Sequence, residues 1–408
     1  MRLLSLLVVV CLCGGCAPRP DDIVLRYIQL AVALGEHDPD ALDYYDGPDD
    51  WVADARSHPP SLPDIERGAL DLASNPKTSG FLVLQVRALA ARAQLLQGRK
   101  SSFNDEAHAL FNLELHGFRR PSGLEKVRRQ IDTLLPGVSY ADFDARFIIP
   151  AERIRAVMDR AMQACRERTV QHIKLPKEEA VSLEYVHNRP WSAYSSYKGR
   201  FHSVILINTD YALTVDRALQ LACHEGYPGH HAYNTLVDAQ LVQRKHRFEL
   251  MVQPTFSPQS LSSEALATNA VYVAFSDEDR LQFERDVLFP LARLGSENIE
   301  LYLRINHLVD RLARAEPEIA RDYLDGTLEW SRAASALEEQ ALMQRTEATL
   351  KYLNQYRSYM LTYTVGKELV KDCVTGASES GQWKLFERMI LSEISIQQCA
   401  GANIETRN

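Results

Sequence analysis

A mainly helical protein, with one small β-sheet placed immediately ahead of a histidine-rich motif, is the fold class this sequence predicts. Three observations carry that expectation. Several long stretches repeat apolar residues at helical spacing, one segment (Ser203-Val204-Ile205-Leu206-Ile207-Asn208) is β-branched and apolar instead, and three histidines crowd into His224–His231. The 408 residues allow two or three domains, and a composition of 46% hydrophobic and 25% charged residues supports a real core. Lys and Arg number 46 against 54 Asp and Glu, a formal charge of −8 spread along the chain. With no basic block, neither a nucleic-acid surface nor a polybasic membrane patch is expected.

Taken in order, the chain opens on Arg2 and an apolar run from Leu3 to Leu12, followed by Cys13, Gly14, Gly15 and Cys16. That run is too short to span a bilayer as a helix, but its charged start and small residues before a cut describe a signal peptide over residues 1–15. Gly14-Gly15-Cys16 followed by Ala17-Pro18-Arg19-Pro20 also resembles the lipobox of bacterial lipoproteins, apart from Cys13 where leucine is usual. The resemblance implies a lipidated Cys16, a tether over 16–20, and an exported protein at the cell envelope that meets the membrane through this lipid only. Plain secretion is the alternative. Three of the seven cysteines fall in this leader. Cys165, Cys223, Cys373 and Cys399 remain, with three possible pairings that sequence cannot rank and no CxxC spacing to suggest a cysteine zinc site.

Residues 21–130 read as an N-terminal helical region that packs beside a cleft and covers it. Phe81 to Gln97 carries Leu82, Leu84, Val86, Leu89 and Leu95 among alanines and arginines, and Gly98 stands where a helix would stop. From 131 to 400, the catalytic region, further helices are expected at Ile154–Arg168, at Gln282–Leu294 with a kink at Pro290, at Ile299–Ala315 and at Glu329–Tyr356. Pro59, Pro60 and Pro63 mark a loop, and Asn188, Arg189 and Pro190 a turn. Leu183-Glu184-Tyr185-Val186 and the run at 203–208 read as strands of a small sheet at about 180–210.

The chemistry concentrates at Leu221-Ala-Cys-His-Glu-Gly-Tyr-Pro-Gly-His-His231. Twelve histidines in 408 residues predict about a quarter of one per eight-residue window, so three are not an accident of composition. Neutral imidazole is the commonest protein metal ligand, and a glutamate beside the first histidine is how zinc hydrolases place a general base. In an unbroken helix, however, His230 and His231 would lie about 9 and 10.5 Å along the axis from His224, too far to share one ion. Pro228 removes a backbone donor and Gly229 permits unusual angles, so the helix should be bulged or broken there. His230 is favoured as second ligand because a bulge then absorbs fewer residues, and His231 stays open as the alternative. Cys223 reads as a small buried neighbour rather than a nucleophile.

His-Glu-x-x-Pro-Gly-His-His resembles the signature of a bacterial domain-of-unknown-function family grouped with the glutamate-zincin metallopeptidases. Ile207-Asn208-Thr209-Asp210, Ser257-Pro258-Gln259-Ser260-Leu261 leading to Glu264, and Tyr356-Arg357-Ser358-Tyr359 with Tyr363 and Gly366 resemble that family's other blocks, over roughly residues 130–370. The chain departs from it at Ala265 and Leu266, where many members carry Gly and often Trp. The resemblance implies a zincin-like architecture with two lobes around a cleft, Zn2+ held by two motif histidines and Glu264, and a peptide or other amide as substrate. Glu225 would be the general base.

Tyr352, Tyr356, Tyr359 and Tyr363 recur at helical spacing and form one face, most simply a core stripe. Tyr363, close to Gly366, is a candidate oxyanion donor, and Arg357 a candidate clamp for a substrate carboxylate. The sheet edge at 203–208 is a candidate docking strand for an extended peptide, with Asn208 near the cleft and Tyr194, Tyr359, Trp191 and Tyr197 as subsite candidates. The resulting expectation is an exported zinc-dependent hydrolase, most simply a peptidase. A catalytically inactive, lipid-anchored binding or scaffold protein with the same fold is the alternative.

Overall fold

The structure, a computed structural model, describes residues 18–115, 122–189, 191–392 and 395–399. The expected signal peptide at 1–15 and the lipidation candidate Cys16 lie outside the described residues. Helix accounts for 68% of the chain, and the sheet content is small. Serine opens one helix after another: Ser79, Ser102, Ser257 and Ser276 each accept from a backbone N–H in the first turn of the helix that follows, satisfying a donor the helix leaves free. The expected helix at Phe81–Gln97 is present as Gly80–Leu96, and Gln97 caps it just before Gly98, whose φ is 83°.

Two other helices differ from expectation. The expected single helix over Glu329–Tyr356 is two, Trp330–Ala341 and Thr346–Tyr356, because Leu342 turns into the left-handed region at φ 55°. No glycine or proline marks that break. Gln282–Leu294 contains a π-turn at Glu284–Leu288, which ends two residues before Pro290, where a kink is expected.

Among the described residues five strands form two sheets. β1 (Leu42–Tyr45) pairs antiparallel with β5 (Val252–Pro254). β2 (Ala180–Val186), β3 (Ala193–Tyr197) and β4 (His202–Asn208) form the expected sheet in the order β2-β4-β3, with β4 parallel to β2 and antiparallel to β3. The expectation that 203–208 forms a free edge is therefore corrected. β4 is the central strand because both of its sides are hydrogen-bonded, and the edge lying against the motif helices belongs to β3.

One hydrophobic core runs from Tyr27 to Cys399 and includes residues on both sides of the boundary near 130. Two disulfides resolve the pairing the sequence left open: Cys165–Cys223 and Cys373–Cys399. The first staples helix Ile154–His172 to the motif helix one residue before His224.

Candidate metal centre

The motif helix, Val215–Glu225, delivers His224 and Glu225 on its last turn and stops at Gly226. A cis Tyr227–Pro228 bond follows, and a new helix starts at His230. Across the break the ladder skips forward: Gly229 N–H donates to the Cys223 carbonyl at 3.0 Å, and Ala232 N–H to the Gly226 carbonyl at 3.2 Å. A Cβ on Gly229 would sit 1.8 Å from the His224 carbonyl oxygen and 2.4 Å from that of Cys223, so only glycine lets the chain fold back this tightly. The expected break is present, and it sets the His224 and His230 ring centroids 4.8 Å apart and nearly perpendicular.

Glu264 completes the group from helix Pro258–Ala274. Its Oε2 lies 3.4 Å from His224 Nε2 and 3.4 Å from His230 Nε2, and the three ligand atoms lie within 4.8 Å of one another. Bonds of about 2.05 Å in a tetrahedral site imply ligand–ligand edges of about 3.3 Å, so the two 3.4 Å separations from Glu264 match a shared ion. Glu264 Oε2 is also buried with no hydrogen-bond partner, a cost that a cation at this point would remove. The residues fit the group that the motif implies.

Neighbouring side chains orient these ligands. Tyr359 donates its hydroxyl to Glu264 Oε1 at 2.8 Å, and Ser263 Oγ lies 3.2 Å from His230 Nδ1. The electrostatics favour a cation: burial alone would lower the His230 imidazole, but Glu264, Glu225 and Asp43 outweigh it and raise it to about 9. Burial would raise the Glu264 carboxyl, but the two histidines hold it well below the usual range.

The remaining expected site residues divide. Glu225 is buried beside His224 and within electrostatic reach of His230 and Tyr363. Tyr363 stacks near His224 with ring centroids 6.2 Å apart, and 37% of its surface is open. Gly366 allows the close approach expected of it, since its Cβ position would lie 3.0 Å from the Ala265 methyl and from Leu261. Ala265, where the chain departs from the resembled family, is thus accommodated.

His231 is not at the centre. It is wholly buried on the other side of its helix, with Nδ1 2.8 Å from Ser203 Oγ and Nε2 3.0 Å from Glu179 Oε2. Glu179 also accepts from Tyr227 and, at 2.5 Å, from Arg166. This network fastens the motif to the sheet, and burial lowers the His231 pKa.

Arg357 is not a substrate clamp, because its guanidinium pairs at 2.5 Å with buried Glu106, which also accepts from the Ser358 amide and hydroxyl. Asn208 is likewise committed: its amide donates to the Arg189 and Trp191 carbonyls and its oxygen accepts from Asp210 N–H, so it holds a loop beside the cleft. Tyr359 is spent on Glu264 rather than on substrate. Tyr197 donates to Asp238 at 2.7 Å and anchors the sheet, while the Trp191 ring lies 5.8 Å from that of Tyr194.

Sequence reasoning missed Asp43. It reaches this area from β1, in the N-terminal region, and accepts from Tyr194 Oη and Gln253 Nε2, each at 2.9 Å. Burial pushes its carboxyl up to about 6 against the pull of His230 and these hydrogen bonds. Nothing in the short, tyrosine-rich Leu42–Tyr45 signals that position.

No family model and no curated protein matches the chain. Among solved structures it is similar to the putative lipoprotein from Colwellia psychrerythraea, with a TM-score of 0.51 and 14% identity over 84% of this chain and 66% of that one. The chain thus spans 66% of the length of that structure, and the likeness is one of fold alone. The M32 carboxypeptidase from Deinococcus radiodurans R1 aligns at a TM-score of 0.38 and 13% identity over 91% of this chain and 89% of that one, too loose a superposition to bear on fold or chemistry.

Proposed function

We propose that the chain is an exported zinc-dependent hydrolase, a peptidase whose ligands are His224, His230 and Glu264. The observation that carries this reading is a buried carboxylate oxygen of Glu264, left unpartnered, at tetrahedral-edge distance from both imidazoles, with all three ligand atoms within 4.8 Å of one another. Zinc at such a point supplies Lewis-acid polarisation of a carbonyl and lowers the pKa of water. Glu225 takes a proton from the attacking water onto its carboxylate and returns it to the departing amine. Tyr363, held above its ordinary pKa by the surrounding protein and by Glu264, stays protonated and donates to the developing oxyanion. Tyr359 and Ser263 keep Glu264 and His230 aimed.

Membership of the resembled domain-of-unknown-function family, a two-lobed zincin-like cleft, and a lipid anchor at Cys16 belong to the same reading. Two disulfides suit an oxidising compartment. The test is Glu225→Gln in the mature chain. The variant should bind about one zinc per chain while losing peptide hydrolysis; full activity would remove Glu225 from the mechanism. Zinc in the unmutated protein without cleavage of any peptide would favour the inactive scaffold.

A further inference from the structure

A second feature on the motif helix points to what the substrate carries. Arg217, Leu221 and His224 occur at spacings of four and three, and so lie on one helix face. Arg217 and Leu221 line a cavity of about 460 Å3 together with Asn208, Tyr211, Met343 and Arg345. That cavity therefore lies along the same helix face as His224, with Arg217 about 10.5 Å up the axis from it.

Arg217 is exposed, yet the surrounding protein holds its guanidinium below the ordinary pKa, as expected for a charge inside a cleft rather than on a convex surface. Among the described residues its hydrogen bond is to Gln220 Oε1 at 3.3 Å. The neighbouring acid Asp216 is committed to Arg280, Asn306 and Gln220. Arg345 lies 4.4 Å over the Tyr211 ring. Among the described residues no carboxylate is within ion-pair distance of either arginine. The break at Leu342, which ends the expected long helix, is what brings Met343–Arg345 to the cavity.

We propose that this cavity is a carboxylate subsite, in which Arg217 and Arg345 hold an anionic group of the peptide about three residues from the cleaved bond. Two guanidinium groups that make no ion pair among the described residues suit a carboxylate bidentately, although Glu225 and Asp216 act on Arg217 from farther off. The 10.5 Å offset corresponds to about three residues of extended chain at roughly 3.3 Å each. The carboxylate can come from a chain terminus or from an Asp or Glu side chain. The inference rests on the peptidase reading.

The test uses zinc-loaded mature chain carrying Glu225→Gln, and measures binding of acetylated hexa-alanine as free acid and as amide, and of amidated peptides with one Asp moved along the sequence. An affinity at least about tenfold greater for carboxylate-bearing peptides is expected. Preference for the free acid assigns the terminal source, and preference for one Asp position the side-chain source. Arg217→Met or, separately, Arg345→Met should bring the ratio close to one. In the active chain, mass spectrometry should place the cut about three residues from the carboxylate. Equal affinity for acid and amide overturns the subsite, as does a preference that survives both variants or an equal loss for both peptides. A carboxylate preference without cleavage would sink the peptidase reading while leaving the subsite in place.

Discussion

Replacing Gly229 with alanine tests whether the metal centre depends on the tight break in the motif. The added Cβ would lie 1.8 Å from a backbone oxygen of His224 itself, against a closest real approach of 3.0 Å. The loop must open by about 1.2 Å, and no rotamer change relieves a clash with backbone. His224 and His230 flank that loop, and zinc sites tolerate distance errors of only about 0.2 Å. A displacement several times larger should lower zinc affinity at least about 100-fold, more than the loss of one orienting hydrogen bond. Overpacking adds a stability cost of about 3 kcal/mol, or roughly 4 °C in Tm for a chain of this size. Gly80→Ala is the control, because Gly80 opens a helix and nothing lies within 4 Å of its Cβ position. Zinc content is read after dialysis against chelator-buffered zinc, with thermal denaturation in parallel. A Gly229→Ala protein that keeps one zinc at unchanged affinity would refute the account.

Tyr359→Phe should keep the fold but lose zinc affinity 10- to 100-fold by competition titration, on the order expected for an orienting partner of a ligand, since Glu264 Oε1 then loses its 2.8 Å donor. Glu179, whose side chain is fully buried, is held at about 2 because hydrogen bonds from His231, Tyr227 and Arg166 outweigh its desolvation. Its pKa is depressed on folding, so its contribution, on the order of 3 kcal/mol, is present above about pH 4.5 and is lost as pH falls towards 2. Urea denaturation across that range should show Glu179→Gln less stable at pH 7 and with a shallower acid limb; an identical acid limb would count against the network. Replacing Cys165 and Cys223 together by serine opens a closure of 58 residues and should cost about 4 kcal/mol by denaturant titration, with no loss expected if the pair does not form in the folded protein.

The parts of the site that were legible in sequence were those encoded by local spacing. Three histidines, a glutamate, a proline and two glycines within eight residues announce a broken helix with ligands on both sides, and the apolar run after Glu264 announces the helix that brings in the third. What could not be read was which distant group each side chain meets. The tyrosine stripe at 352–363 is visible as a face, but periodicity reports burial and not partners, so the sequence offers Tyr359 as a substrate contact and not as the donor to Glu264. Arg357 looked free because its partner, Glu106, lies 251 residues away. Leu342 breaks a helix with a residue of high helix propensity, a case where tertiary packing overrides a weak local preference. β4 is legible as a strand but not as the central one, because a continuous apolar run does not say how many neighbours it has.

The pairing of β1 with β5 also bears on when the protein becomes competent. Asp43 and Gln253 are 210 residues apart, and their hydrogen bond closes one of the long loops of the fold. Such closures are entropically expensive and are made late, after local helices have formed. A newly delivered chain presents Asp43 early and Gln253 much later. Until the two strands meet, the neighbourhood of Tyr194 and His230 lacks one wall. Order of assembly would then delay completion of the surroundings of His230 until folding is nearly finished.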